Sequence, residues 1–99
     1  MNINTTKSGN TRTMAVEGRI DTLTAPEFES EFNSNAADCD KMIFDLKDVD
    51  YISSAGLRAI VFAHREMEKK GGLVLRGLNK NIETIINMTG FNNVLNIEK

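Results

Sequence analysis

The chain has 99 residues, which is room for one domain and not for two ordinary ones. Hydrophobic residues at 40% and charged residues at 26% make a globular balance that argues against disorder, and a formal net charge of −2 lacks the basic excess of a nucleic-acid binder. One cysteine and one histidine exclude a disulfide framework and a zinc site of the usual four-ligand kind.

Residues 2–7 read as a short strand around Ile3, closed by the turn dipeptide Gly9-Asn10. Residues 11–17 alternate, with Met14 and Val16 on one side, and so predict an antiparallel hairpin partner. Gly18 and Ile20-Asp21 are then expected to leave the sheet. Thr24-Ala25-Pro26-Glu27 has the form of a capping box with proline in the first turn. The helix it opens runs to about residue 36 and buries Phe28 and Phe32, four residues apart. Lys41–Leu46 is a compact apolar strand of the kind covered inside a sheet, and Asp48–Ser54 follows as a polar-flanked loop. A second helix spans about 55–70, with Leu57, Ile60, Val61, His64 and Met67 on one face and Gly71-Gly72 as its stop. Residues 73–76 form another strand. Asn79 caps a third helix reaching Met88, with Ile82, Ile85 and Ile86 inward and Gly90 ending it. Residues 93–97 supply a last strand. The order is β-β-α-β-α-β-α-β, a single α/β domain over 1–99 whose mixed, mostly parallel sheet carries an antiparallel edge hairpin.

No catalytic constellation assembles from this pattern. The Gly-x-Ser-x-Gly elbow of serine hydrolases is absent, since Ser54 has Gly56 after it but Ile52 before it. His64 lies about 15 Å from Ser54 along the same helix and reads as a packing residue. Cys39 has no partner pattern. Asp45, Asp48 and Asp50 lack the glycine and terminal glutamate of a calcium loop and read as strand-end and turn residues. Their neighbourhood matters nonetheless, because ligands and partners of parallel α/β sheets gather at the carboxyl ends of strands. Ser53-Ser54 stands there at the mouth of the second helix. Either serine serves as its N-cap, or an exposed hydroxyl there accepts a phosphate, which would face free N–H groups and the positive end of the helix dipole. Residues 1–7 contain no apolar segment and no apolar run approaches a membrane span, so a cytoplasmic protein without membrane insertion is expected.

Three stretches in order resemble the STAS family, and within it the bacterial anti-sigma factor antagonists. They are Gly18-Arg19-Ile20-Asp21 with Thr24-Ala25, then Asp45-Leu46…Val49…Ile52-Ser53-Ser54-Ala55-Gly56-Leu57, then Asn79…Ile82…Ile85-Ile86-Asn87-Met88-Thr89-Gly90-Phe91. The resemblance implies helices mainly on one face of the sheet and no enzymatic activity. It implies partner switching. The unphosphorylated protein binds an anti-sigma factor serine kinase and frees a sigma factor. Phosphorylation ends the complex, and a serine phosphatase resets it. Ser54 matches the phosphorylated position, with Ser53 the second choice, standing where the best-known members carry aspartate. The partner surface would comprise Asp21, Thr22, Asp48, Asp50, Ser53, Gly56, Leu57 and Arg58. No cofactor belongs to the chain, ATP and magnesium being the kinase's, and the free protein is expected to be monomeric. The family's other class is a non-switching subunit of a membrane lipid transporter or a regulatory scaffold, in which Ser54 would be only structural.

Overall fold

The computed structural model describes residues 1–98; Lys99, the last residue of the expected domain, lies outside the described residues. A five-stranded sheet has its strands in chain order, β1 (Asn2–Ser8), β2 (Thr11–Ile20), β3 (Lys41–Ile52), β4 (Leu73–Arg76) and β5 (Ile97–Glu98). β1 pairs antiparallel with β2, and every other pairing is parallel. The parallel crossovers run through α1 (Ala25–Ala36), α2 (Ser54–Glu68) and α3 (Lys80–Thr89), each advancing one strand in the same direction. Right-handed crossovers that all advance one way stack their helices on one face of the sheet. The burial pattern agrees. Met14 and Val16, Met42, Phe44 and Leu46, and Leu73 and Leu75 are buried beneath the helices. Thr13, Ala15, Ile43 and Val74, at the alternate positions, are only half-buried on the other face. Phe28 and Phe32 of α1 meet Phe44 edge-on, with ring centroids 5.1 and 6.0 Å apart. Among the described residues no helix is long and apolar enough to cross a membrane.

The elements depart from the sequence reading at identifiable places. β2 runs to Ile20 and β3 to Ile52, so the segment expected to leave the sheet and the loop expected over 48–54 are mostly strand. The cause is two register shifts. Ala15 pairs Asp45 but Glu17 pairs Asp48, and Gly18 pairs Val49 but Arg19 pairs Tyr51, so β3 accommodates one extra residue at each shift. Gly18 lies between them with φ 104°, which an L side chain rarely adopts. The shifts space the buried residues Leu46, Val49 and Ile52 three apart rather than two, which erases the alternation a strand normally shows. The capping box does not form either: Thr24 makes no side-chain cap bond to α1. α2 is shorter than expected, ending at Glu68. Phe91–Asn93 is a 3-10 turn, Val94 is exposed, and the last strand shrinks to Ile97–Glu98. Ile82 and Ile86 of α3 are buried as expected, but Ile85 is only half-buried.

Candidate functional site

The carboxyl ends of β2 and β3 deliver the chain to the start of α2. Ser53 is the N-cap, in extended backbone, and its Oγ accepts from the Gly56 N–H at 3.2 Å. Its own N–H donates to the Ile20 carbonyl at 2.9 Å. Ser54 is the first helical residue, and its side chain is exposed. The two serines therefore differ in chemistry: one hydroxyl is spent on the helix end and the other makes no hydrogen bond among the described residues. Gly56 makes the approach possible. A Cβ there would lie 2.1 Å from the Ile20 carbonyl oxygen and 2.9 Å from Ile20 Cγ2. Leu57, buried beneath, completes the first turn.

Ile20 leads directly into the turn at 21–24. The Asp21 carboxylate accepts from the N–H groups of Leu23 at 3.0 Å and Thr24 at 3.1 Å. Thr24 closes the turn from its other end, its hydroxyl donating to the Arg19 carbonyl at 2.7 Å and accepting from the Asp21 N–H at 2.9 Å. Asp21, rather than Thr24, thus satisfies donors at the entry to α1. These N–H donors hold the Asp21 carboxyl below its ordinary range, that of Thr24 foremost. The Arg19 guanidinium 3.3 Å away adds to this against a desolvation effect of opposite sign. Arg19 also lies over the Tyr51 ring, 4.7 Å from its centroid.

α3 forms the far wall. Asn79 caps it, Oδ1 accepting from the Ile82 N–H at 3.0 Å, while Nδ2 donates to the Val49 carbonyl at 2.8 Å. Asn81 Nδ2 donates to the Asp50 carbonyl at 2.9 Å. These bonds pin α3 to the end of β3. Between them lies a groove of about 190 Å³, lined by Tyr51, Ser53, Ser54 and Leu57 on one side and Ile85 and Thr89 on the other.

The structure gathers the predicted residues unevenly. Asp21 and exposed Thr22 lie on the turn that follows Ile20, the residue bonded to Ser53. Arg58 is exposed one helical turn beyond Ser54, and among the described residues it pairs with no carboxylate. Gly56 and Leu57 are buried and shape the site from beneath. The Asp50 side chain is exposed, its backbone tied to Asn81. Asp48 is not at the groove; it shares a small crevice with Asn4, Ala15 and Asp45. Tyr51, Ile85 and Thr89 line the groove without belonging to the expected partner surface, and the two α3 residues, expected only as part of that helix, reach it through tertiary packing. His64 packs on the buried face of α2 with Nε2 3.4 Å from Glu68. Cys39 is buried, and burial pushes its thiol up. Among the described residues no three His, Cys, Asp or Glu side chains gather where they could hold a metal ion.

The STAS domain family profile matches residues 2–99. BtrV of Bordetella bronchiseptica, which carries the name anti-sigma factor antagonist, is 32% identical over 81 residues, covering 77% of this chain and 67% of that protein. The anti-sigma-B factor antagonist of Bacillus subtilis is 26% identical over 98 residues, covering 98% of this chain and 90% of its own. The crystal structure of an anti-sigma factor antagonist from Mycobacterium paratuberculosis shares the fold, with a TM-score of 0.88 at 22% identity over 97% of this chain and 83% of the other.

Proposed function

The chain belongs to the STAS domain family, and on that premise we propose that it is an anti-sigma factor antagonist working by partner switching in the cytoplasm. It acts as a binding protein. Unphosphorylated and monomeric when free, it docks on an anti-sigma factor serine kinase and so releases the sigma factor. The kinase, which holds the ATP and magnesium, then modifies Ser54. The Ser54 oxygen bonds to the γ-phosphorus, the bond to the β-phosphate oxygen breaks, ADP leaves, and the serine proton passes to a base of the kinase. A phosphatase returns the serine by hydrolysis.

One observation carries this reading: the Ser54 hydroxyl is free and exposed at the first position of α2, beside a cap that Ser53 already supplies. A phosphate there meets free backbone N–H groups and the positive end of the helix, so the fold accommodates it. At a docking face, the same −1.5 to −2 charges (approximate, at neutral pH) are a buried or opposed charge. Such a charge at an interface costs roughly several kcal/mol, and about 1.4 kcal/mol is already tenfold in affinity. Ser53 fits the role less well, because modification would remove the bond from Gly56.

The test is calorimetric titration of the kinase, isolated by its affinity for the wild-type chain, with Ser54→Asp, Ser54→Ala and wild type. Ser54→Asp is expected to bind at least about tenfold more weakly. Ser54→Ala is expected to bind normally and to resist release when ATP and magnesium are added. Equal affinity of all three, with release of all three by ATP, would reduce Ser54 to a structural residue of the helix.

A further inference from the structure

We propose that Arg58 is the charge through which the state of Ser54 is read. In the unmodified protein it is offered to a carboxylate of the kinase, and in the modified protein the phosphate on Ser54 takes it up. The inference rests on the reading of Ser54 given above and extends it to the partner's chemistry. From its start, the exposed positions of α2 run Ser54, Arg58, Phe62 and Arg65, a stripe at i, i+4, i+8 and i+11. Helical side chains lean toward the N-terminus, so Arg58 lies over the turn that carries Ser54. An anion four residues ahead of a cation is the favourable order for such a pair. Of the five arginines, Arg12, Arg19 and Arg76 are each held by an aspartate, at 2.7, 3.3 and 3.6 Å. Arg58 pairs with no carboxylate among the described residues, and its own helix supplies none. The residues three and four places away on either side are Ser54, Ala55, Val61 and Phe62, and the first turn of α2 holds no acidic residue. Arg65 is also unpaired among the described residues, but it stands about 16 Å along the helix from Ser54.

The other charges of the site leave this role open. Arg19 and Asp21 hold each other. Asp50 and Lys80, of opposite sign, are exposed where β3 meets α3. The start of α2 itself carries Arg58 alone. A guanidinium matches a carboxylate through two parallel hydrogen bonds, which makes an aspartate or glutamate of the kinase its counterpart. A phosphate offers the same fork of acceptors with more charge, about −1.5 to −2 at neutral pH. Tethered four residues away on the same helix, it competes at a high effective concentration. Modification then acts twice on one contact. The kinase carboxylate loses its cation, and it meets a phosphate of its own sign. Added charge without Arg58 would bring only the second effect.

The test has two arms on the full chain. In the first, phosphoserine is incorporated at position 54 of the wild type, Arg58→Gln, Arg58→Lys and Arg65→Gln. The second ionisation of the phosphate is followed by phosphorus NMR at low salt. Pairing favours the dianion, so the wild type is expected to titrate at least about 0.3 pH unit below Arg58→Gln. Arg58→Lys is expected between them, and Arg65→Gln with the wild type. Equal titration of wild type and Arg58→Gln would overturn the proposal. In the second arm, the unmodified proteins are titrated against the kinase isolated by its affinity for the wild-type chain. Arg58→Gln is expected to bind about tenfold more weakly and Arg65→Gln normally. Wild-type affinity of Arg58→Gln would overturn the proposal as well. The Ser54 reading is judged apart from both. Disruption of the complex by phosphoserine, with neither arm moved by Arg58→Gln, would keep the switch and remove Arg58 from it. A phosphoserine chain that binds the kinase as tightly as the unmodified chain would sink the switch itself, whatever Arg58 does.

Discussion

Replacing Gly56 with alanine should destabilise this protein, although the same change in an ordinary helix stabilises it. Gly56 lies in the first turn of α2, where alanine would normally gain about 1 kcal/mol in helix propensity. Here the new methyl would stand 2.1 Å from the Ile20 carbonyl oxygen and 2.8 Å from its carbon. Favourable non-bonded separations are about 3.5–4 Å, so the gap has to open by more than about 1 Å. Ile20 cannot simply withdraw: its side chain is fully buried and its carbonyl accepts from Ser53. Overpacking of this kind costs about 1–3 kcal/mol. Retreat of the helix also stretches the Ser53–Ile20 bond and the Ser53 cap, at about 1 kcal/mol each. Set against the propensity gain, the net loss is about 2–4 kcal/mol. For a domain of this length that lowers the melting midpoint on the order of 10–20 °C. The chain has no tryptophan, so thermal unfolding is followed by circular dichroism at 222 nm. A midpoint equal to or above wild type would show that β2 and α2 separate freely. It would also show that their close contact does not fix the position of Ser54.

Two further variants separate the parts of the site. Ser53→Ala removes the cap on α2 and is expected to cost about 1 kcal/mol, seen as a lower urea midpoint, while the kinase still modifies Ser54. Unchanged stability with loss of phosphate would reverse the roles of the two serines. Asp21 is depressed in the fold, chiefly by the Thr24 N–H and further by Arg19 and Leu23, so its ionised form stabilises the turn above the ordinary carboxylate pKa. That contribution fades as pH falls through the folded value, below about pH 4. Asp21→Ala should therefore be less stable than wild type at pH 7, with the gap closing below pH 4, and a gap independent of pH would refute the account.

The helices and the core were legible because their signals are local. Phe28 and Phe32 at i and i+4, the buried face from Leu57 to Met67, and the caps at Asn79 and Gly90 each declare themselves within one element. The second half of β3 was not legible, because its two register shifts replace alternation with the three-residue spacing of Leu46, Val49 and Ile52. The Thr24 motif misled for a related reason. A capping box and an aspartate-centred turn use the same residue types, and only the backbone path from Ile20 decides which forms. At the site, the serines and Asp21 could be named from sequence. The wall contributed by Ile85 and Thr89 could not, since it depends on Asn79 and Asn81 tying α3 to residues about thirty positions earlier.

Adjacent serines with different surroundings would let a modification act on binding without acting on folding. A charge introduced where a side chain is already bonded costs the fold, and one introduced where nothing is bonded costs only what docks there. Ser53 is of the first kind: its N–H, its hydroxyl and its position over Ile20 all hold the start of α2. Ser54 is of the second, one residue further on and turned to solvent. Gly56 is what lets the start of α2 lie hard against Ile20 at the end of β2. The arrangement puts an exposed hydroxyl at a junction where two strand ends, a helix start and the wall of α3 meet. A phosphate there would change the face offered to a partner while leaving the bonds of the Ser53 cap in place.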